Sequence, residues 1–441
     1  MYKIIGVVIC LICFQHLNAQ NYYITAPEGF GAATTGGGTA TPVIVTTYAD
    51  LKSKISESAP AVIIVSGTIT IPGGGMISEV VTDKTILGLP GAKLINTTLT
   101  QSGSGILNLK NGSSNVIIRN LTFEGPGAYD VDGRDNLTAD GCINLWVDHC
   151  EFQDGLDGNF DNKGNTDSVT ISWCKFTYLK PAIPGGSGGS NDHRFSNLVG
   201  SSSSNAPADG HYSITFQNCY WADGCKERMP RARNAELHML NCYYNTNVSS
   251  STALGLGGGI NNLTCYVDHT HFDKIGTVYK NYNSSDGGTI ALTFFGCLNG
   301  VADVGAVSPP SYSYSVLPVE DVKKYIANPS CGAGATLDVT TAGIISTPCG
   351  SVGIKDSEIK PGIKLYPTII DDYLNIELPD NSTESVYISI YASNGKKIIS
   401  DTRNITTEKK IRFDVSSLSS GIYFCNILFG NSSATQRIIK Q

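Results

Sequence analysis

Apolar residues along this chain come in short runs separated by Gly, Pro and Asn, as in AVIIVSGTITI, KTILGLPGAKL, GILNLK and NVIIRNLTF. Each run is too short for a helix and is bounded by turn formers, which predicts strands. One segment departs from this. In Tyr48–Ser56 the apolar positions Tyr48, Leu51 and Ile55 recur at helical spacing and predict a short helix. Later runs align by hand as IIRNLTF, WVDHCEF, TISWCKF, TFQNCYW, HMLNCYY, YVDHTHF and TFFGCLN. One register of this alignment holds Leu121, Cys150, Cys174, Cys219, Cys242, Thr270 and Cys297. Two places on stand Phe123, Phe152, Phe176, Trp221, Tyr244, Phe272 and Asn299.

The register positions are 29, 24, 45, 23, 28 and 27 residues apart. A period in the twenties carrying strands means a solenoid. Leucine-rich repeats share the period, but their Leu/Asn signature and helical segment are missing. A parallel β-helix accounts for the pattern, because stacking one strand on the last at about 4.8 Å lines up equivalent side chains. The cysteine register then reads as a column of small buried side chains, and the rival reading is a chain of disulfides between coils. The gap of 45 reads as two repeats, with His193–Ser201 (HRFSNLVGS) supplying the extra rung.

Composition agrees with an all-β chain. Gly is abundant at 48 of 441 residues, and long helix-period segments are nearly absent. The formal charge of −7 excludes a general nucleic-acid binder. Residues 1–19 carry Lys3, an apolar run too short to span a bilayer and a small residue at Ala19, which predicts a signal peptide. The mature chain then keeps eleven of thirteen cysteines, and Cys331 with Cys349 is the best candidate disulfide. Residues 20–350 form the solenoid domain and 351–363 a polar linker. Residues 364–441, with period-two runs and Asn-Gly and Ser-Gly turns, predict a small β-sandwich.

Candidate chemistry sits in two places. The stretch Asn144–Phe176 encloses an acidic turn with Asp154, Asp157 and Asp161, and one repeat earlier come Asp130, Asp132 and Asp135. Stacked coils would bring Asp135 to Asp157 and Asp161 as hard oxygen ligands, a set suited to Ca²⁺. The run Lys226–Arg233 puts four cations in eight residues beside a coil strand, and it suits a fixed site for carboxylate groups. Asp148-His149, with Ser172 nearby, has the look of a catalytic pair. The same pair recurs as Asp268-His269, so it reads as a coil-to-coil hydrogen-bonding device.

With these motifs in hand, NVIIRNLTF, WVDHCEF, DGNFDNKGNTDSVTISWCKF and RMPRARNAELHMLNCYY resemble the family-1 pectate lyases over roughly residues 28–300. The resemblance implies a right-handed parallel β-helix that cleaves pectate (homogalacturonan) by Ca²⁺-dependent β-elimination. It places metal ligation on Asp135, Asp132, Asp157 and Asp161, the catalytic base on Arg228 and substrate binding on Arg233. The family's substrate lysine has no clean match: Lys180 and Arg194 are both candidates, and Arg231 adds charge beside the base. Where the family often stacks asparagines, this chain places cysteines. LYPTIIDDYLNIEL, Asn394-Gly395-Lys396, DVSSLSSGIYFCNI and the terminal IIKQ resemble a type IX secretion sorting domain. That implies export through the periplasm by the type IX machinery to a secreted or cell-surface location. The chain is expected to be a monomer. Alternatives are a pectin lyase acting on methyl esters, a hydrolase on the same solenoid and a non-catalytic polysaccharide-binding β-helix.

Overall fold

A computed structural model describes residues 26–348, 364–378, 385–392, 397–404, 410–429 and 432–440. The segment 1–19, Cys349, the linker 351–363 and Asn394-Gly395-Lys396 lie outside the described residues. The described residues fall into two compact units that divide near residue 350.

In the larger unit each aligned run spans one corner of a coil, and the chain visits three parallel sheets in turn. Among the described residues these sheets hold ten, eight and eight strands. The first includes Ser114–Arg119, Ile143–Asp148, Asp167–Ser172, Tyr212–Gln217, Ala235–Leu240 and Leu263–Asp268. The second holds the short strands that follow, such as Glu151–Gln153 and Lys175–Thr177, and the third includes Leu137–Asp140, Phe160–Lys163, Leu198–Val199 and Arg231–Ala232. Strands of these three sheets pair with equivalents one coil away, so identical positions stack.

The corner between the first two sheets explains the register. The residue before each register position turns the chain in the left-handed region: Asn120, His149, Trp173, Asn218, Asn241, His269 and Gly296 have φ between 41° and 62°. Asn and Gly adopt this conformation at little cost. Past the turn, each thiol points inward and donates to a carbonyl one coil back. Cys150 donates to Ile118, Cys174 to Val147, Cys219 to Ile171 and Cys242 to Phe216, at 3.3 to 3.6 Å. Thr270 does the same with its hydroxyl to Met239, which is why it fits the cysteine register. These thiols are free and not bridged, and burial holds those of Cys174 and Cys219 well above their ordinary pKa. Cys331 is disulfide-bonded.

The aromatic register forms a continuous interior stack. Successive ring centroids from Phe123 through Phe152, Phe176, Trp221 and Tyr244 to Phe272 lie 4.6 to 5.4 Å apart. Phe152 touches Phe123, Phe160 and Phe176. Phe152→Ala removes a fully buried ring from the middle of the stack and should cost about 3–5 kcal/mol in urea unfolding.

Two expectations need correction. The gap of 45 residues is one coil and not two: Val169 pairs directly with Ile214 and Lys175 with Tyr220. The extra length lies in two loops, 178–197 before Leu198–Val199 and 200–211 after it, and HRFSNLVGS supplies that same coil's third strand. Nor do cysteines replace asparagines. Buried Asn136 donates to Asn159 Oδ1 (3.1 Å) at the corner into the third sheet.

The helix Tyr48–Ser56 is present, capped by Thr47, with Leu51 and Ile55 buried. The Gly/Thr-rich stretch after residue 26 lies across the outer face of the first sheet. There Gly31 N donates to Thr170 Oγ1 and Gly37 N to Thr85 Oγ1. A Cβ on Gly31 would lie 2.7 Å from the Thr170 backbone, so this approach requires glycine. A further helix, Val319–Ile326, was not expected; it buries Val322 and Ile326 against Trp173 and Tyr243.

Among the described residues, the smaller unit contains a three-stranded and a five-stranded sheet. Their inward residues, among them Leu374, Ile376 and Phe413 with Val386, Ile388, Ile427 and Ile438, share one apolar cluster.

Candidate active site

Side chains from successive coils become neighbours where the second sheet turns into the third, and there the acids meet. Asp135 stands two residues before the strand Leu137–Asp140. Asp161 lies within Phe160–Lys163 and pairs with Thr138 across the coils. Alternation along the strand sends Phe160 into the core and Asp161 to the outer face. Thr138 Oγ1 donates to Asp135 Oδ2 (2.7 Å), and Leu198 N donates to Asp161 Oδ1 (2.9 Å). A Cβ built on Gly158 would sit 2.9 Å from Oδ1 of both Asp135 and Asp161. The two carboxylates therefore face one small space that glycine keeps open.

The electrostatics of this space favour a cation. Burial raises the Asp135 carboxyl above its ordinary value, and burial together with Asp135 raises Asp161 well above it. Lys163 Nζ, 3.8 Å from Asp135 Oδ2, answers part of the charge, and its own affinity for a proton rises because the surrounding acids outweigh burial. Asp157 is also close, but its Oδ1 lies 3.0 Å from His193 Nε2. Burial would raise its carboxyl, yet the hydrogen bond and charge of His193, with Arg228 and Lys163, hold it below the usual range. Among the described residues, no three carboxylate, imidazole or thiolate groups already close around a metal position. The donors fit a hard divalent cation in kind: carboxylate oxygens beside a gap that a Cβ would fill. Asp132 does not join them. It is exposed, in a left-handed turn at φ 47°, with Gln101 Nε2 at 3.5 Å. The turn needed to bury Asp135 sends Asp132 to solvent.

The cationic run divides by partner. Arg228 stands at φ 58° before the strand Arg231–Ala232, with its guanidinium carbon 4.8 Å from the centre of the Phe195 ring. Its charge acts on Asp135, Asp157 and Asp161 alike. Arg231 and Arg233 instead share Asp286: Arg231 Nη2 donates to Oδ2 and Arg233 Nε lies 3.1 Å from Oδ1. Arg231 also lies 4.0 Å over the Tyr282 ring. The single Asp286 carboxylate offsets only one of these two charges, so a net positive charge remains beside Arg228. The three arginines, Phe195, Glu227 and Tyr282 line a cavity of about 350 Å³.

Lys180 and Arg194 do not line that cavity. Lys180 Nζ is 2.6 Å from the Gly125 carbonyl and 3.2 Å from Glu124 Oε1, while Arg194 is held by both oxygens of Asp192 at 2.7 and 2.8 Å. Asp148 and His149 are buried. Asp148 accepts from Arg119 Nε (2.8 Å) and Ser172 Oγ (2.6 Å) and lies 2.8 Å from His149 Nδ1.

Sequence reasoning missed Lys163, His193, Tyr282 and Asp286. Lys163 carries a readable signal, since it stands two places after Asp161 and so on the same strand face. Asp286 carries none, because only coil stacking brings it to Arg231 and Arg233.

Comparison with known proteins agrees with this architecture. The family profile described as pectate lyase matches residues 3–336, and that of a secretion system C-terminal sorting domain matches 364–441. A pectate trisaccharide-lyase of Thermotoga sp. (strain RQ2) is 34% identical over 243 residues, covering 53% of this chain and 57% of that protein. A pectate lyase of Emericella nidulans is 32% identical over 233 residues, covering 50% of this chain and 62% of that protein. The chain thus spans little more than half the length of these relatives. A probable pectate lyase A of Aspergillus niger is 28% identical over 325 residues, with 70% of this chain and 88% of that protein covered. In fold, a pectate lyase structure from Paenibacillus sp. 0602 superposes with a TM-score of 0.52 at 19% identity, covering 70% of this chain and 96% of that one. A stacked solenoid, an acidic gap faced by Arg228 and a profile match over most of its length lead to one conclusion: this chain belongs to the pectate lyase family and carries a C-terminal secretion sorting domain.

Proposed function

We propose that this protein is a secreted, Ca²⁺-dependent pectate lyase that cleaves α-1,4-galacturonan by β-elimination and leaves 4,5-unsaturated oligogalacturonates. The observation that carries this reading is the placement of Arg228 where its charge reaches Asp135, Asp157 and Asp161 at once, at the edge of a cavity lined with cations. Asp135 and Asp161, with Asp157, would hold the Ca²⁺. The chemistry a bound Ca²⁺ supplies is charge neutralisation at the uronate carboxyl, which makes the adjacent C5 proton removable.

In this reading Arg228 takes the C5 proton, the C5–H electrons form the C4–C5 double bond, and O4 departs with the electrons of the C4–O4 bond. Arginine ordinarily keeps its proton. The role therefore requires that the cation, and not the guanidinium, answer the charge of the three carboxylates. Arg233 and Arg231, oriented by Asp286, offer N–H donors to a neighbouring uronate carboxyl. Lys180 and Arg194 are left to outer contacts with the polymer.

The wider reading has residues 20–350 as a right-handed β-helix, the hand that parallel crossovers overwhelmingly adopt. A linker follows at 351–363 and a sorting β-sandwich at 364–441, read by the type IX machinery during export of a monomer. The test is ultraviolet absorbance of unsaturated product from polygalacturonate. The expected result is a rise that chelator abolishes and Ca²⁺ restores. Reducing ends without unsaturation would indicate a hydrolase, binding without turnover a carbohydrate-binding solenoid, and chelator-insensitive cleavage of methylated substrate a pectin lyase.

A further inference from the structure

The loop 178–197, one of two that lengthen this coil, reaches the acidic gap. His193 on this loop is 6% exposed. Its Nε2 lies 3.0 Å from Asp157 Oδ1, and its Nδ1 lies 3.2 Å from Asp130 Oδ1 as a charge contact outside hydrogen-bond alignment. Asp130 is itself held, since its Oδ2 accepts from Ser190 N (2.7 Å) and its carbonyl from Gly188 N (2.8 Å), both on the same loop. Two places after His193, Phe195 packs against the imidazole at 4.2 Å between ring centroids and lies under Arg228. One short segment therefore touches both a carboxylate of the acidic gap and the guanidinium that faces it.

We propose that this loop is a positioning element, in which His193, backed by Asp130, fixes the Asp157 carboxylate by one oxygen and leaves the other to ligate the cation, while Phe195 carries Arg228. A partner of this kind restricts a ligand's rotation before the ion arrives, so the ion does not have to order it. His193 and Asp130 touch no substrate; they act through Asp157. The inference rests on the Ca²⁺ site proposed above.

Calorimetric titration of the full chain with CaCl₂, without substrate, tests it. His193→Ala should weaken Ca²⁺ binding about 10–100-fold, the range found when such outer partners of metal ligands are removed. His193→Gln, whose amide N–H can stand in for Nε2, should recover most of the loss. Phe195→Leu should leave the affinity within about twofold, since its ring supports Arg228 and not Asp157. Should His193→Ala fail to fold, as judged by thermal unfolding, Asp130→Asn replaces it and should weaken binding in the same direction. Unchanged or tighter binding in His193→Ala, or in Asp130→Asn where that replaces it, would overturn the proposal while leaving the Ca²⁺ site intact. Absence of Ca²⁺ binding by the wild-type chain would overturn both.

Discussion

Arg228→Ala is expected to lower turnover on polygalacturonate by about 10²–10⁴-fold, the range for losing a positioned proton acceptor. KM should change far less. The side chain is half-buried and packs over the face of the Phe195 ring. The backbone contact at this position, Asn197 N to the Arg228 carbonyl (2.6 Å), does not depend on the side chain. Arginine and alanine bear a similar penalty at φ 58°, so stability should stay within about 1 kcal/mol by urea unfolding. Arg228→Lys keeps a charge but not the planar fork, and it should recover little activity. Full turnover in Arg228→Ala would remove this residue from the chemistry.

The largest effect on stability is expected at Asp148. Asp148→Ala leaves the buried Arg119 guanidinium facing a methyl group, and breaking a buried pair in this way costs about 3–5 kcal/mol. Burial alone would raise the Asp148 carboxyl. The charges of His149 and Arg119, with hydrogen bonds from His149 and Ser172, outweigh that and hold it below its ordinary value. The sign of the pH dependence follows: Asp148 stabilises the fold fully above the ordinary carboxylate value, about 3.9, and loses that contribution as pH falls through its lower folded value. Wild type should therefore lead Asp148→Ala by its full margin near neutrality, and the gap should close below about pH 4. At temperatures where the variant stays folded, activity per folded molecule should persist. A loss of turnover without a loss of stability would instead make Asp148-His149 catalytic.

That pair shows how far the pattern of residues could be read. Its recurrence as Asp268-His269 pointed to scaffold, and the geometry gives the reason: His149 and His269 are corner residues at φ 45° and 41°, each beside its own carboxylate. The cysteine column was legible as buried, but its hydrogen bonds to carbonyls one coil back were not, because a thiol looks like any small apolar residue in one dimension. The doubled gap was misread for a similar reason. Spacing counts residues and cannot tell a second coil from a loop within one.

The strands, the solenoid, the stacked aromatic register and the acidic and basic clusters were determined by the sequence itself. Each follows from local alternation and a repeat, and both are properties of order along the chain. Partnership was decided by the tertiary structure. Asp135 meets Asp161 across Gly158 while Asp132, three residues away, turns to solvent. Asp286 reaches back to Arg231 and Arg233, and His193 reaches Asp157 from an inserted loop. These contacts join residues from different coils. Only stacking, in which each coil sets the neighbours of the next, could select them.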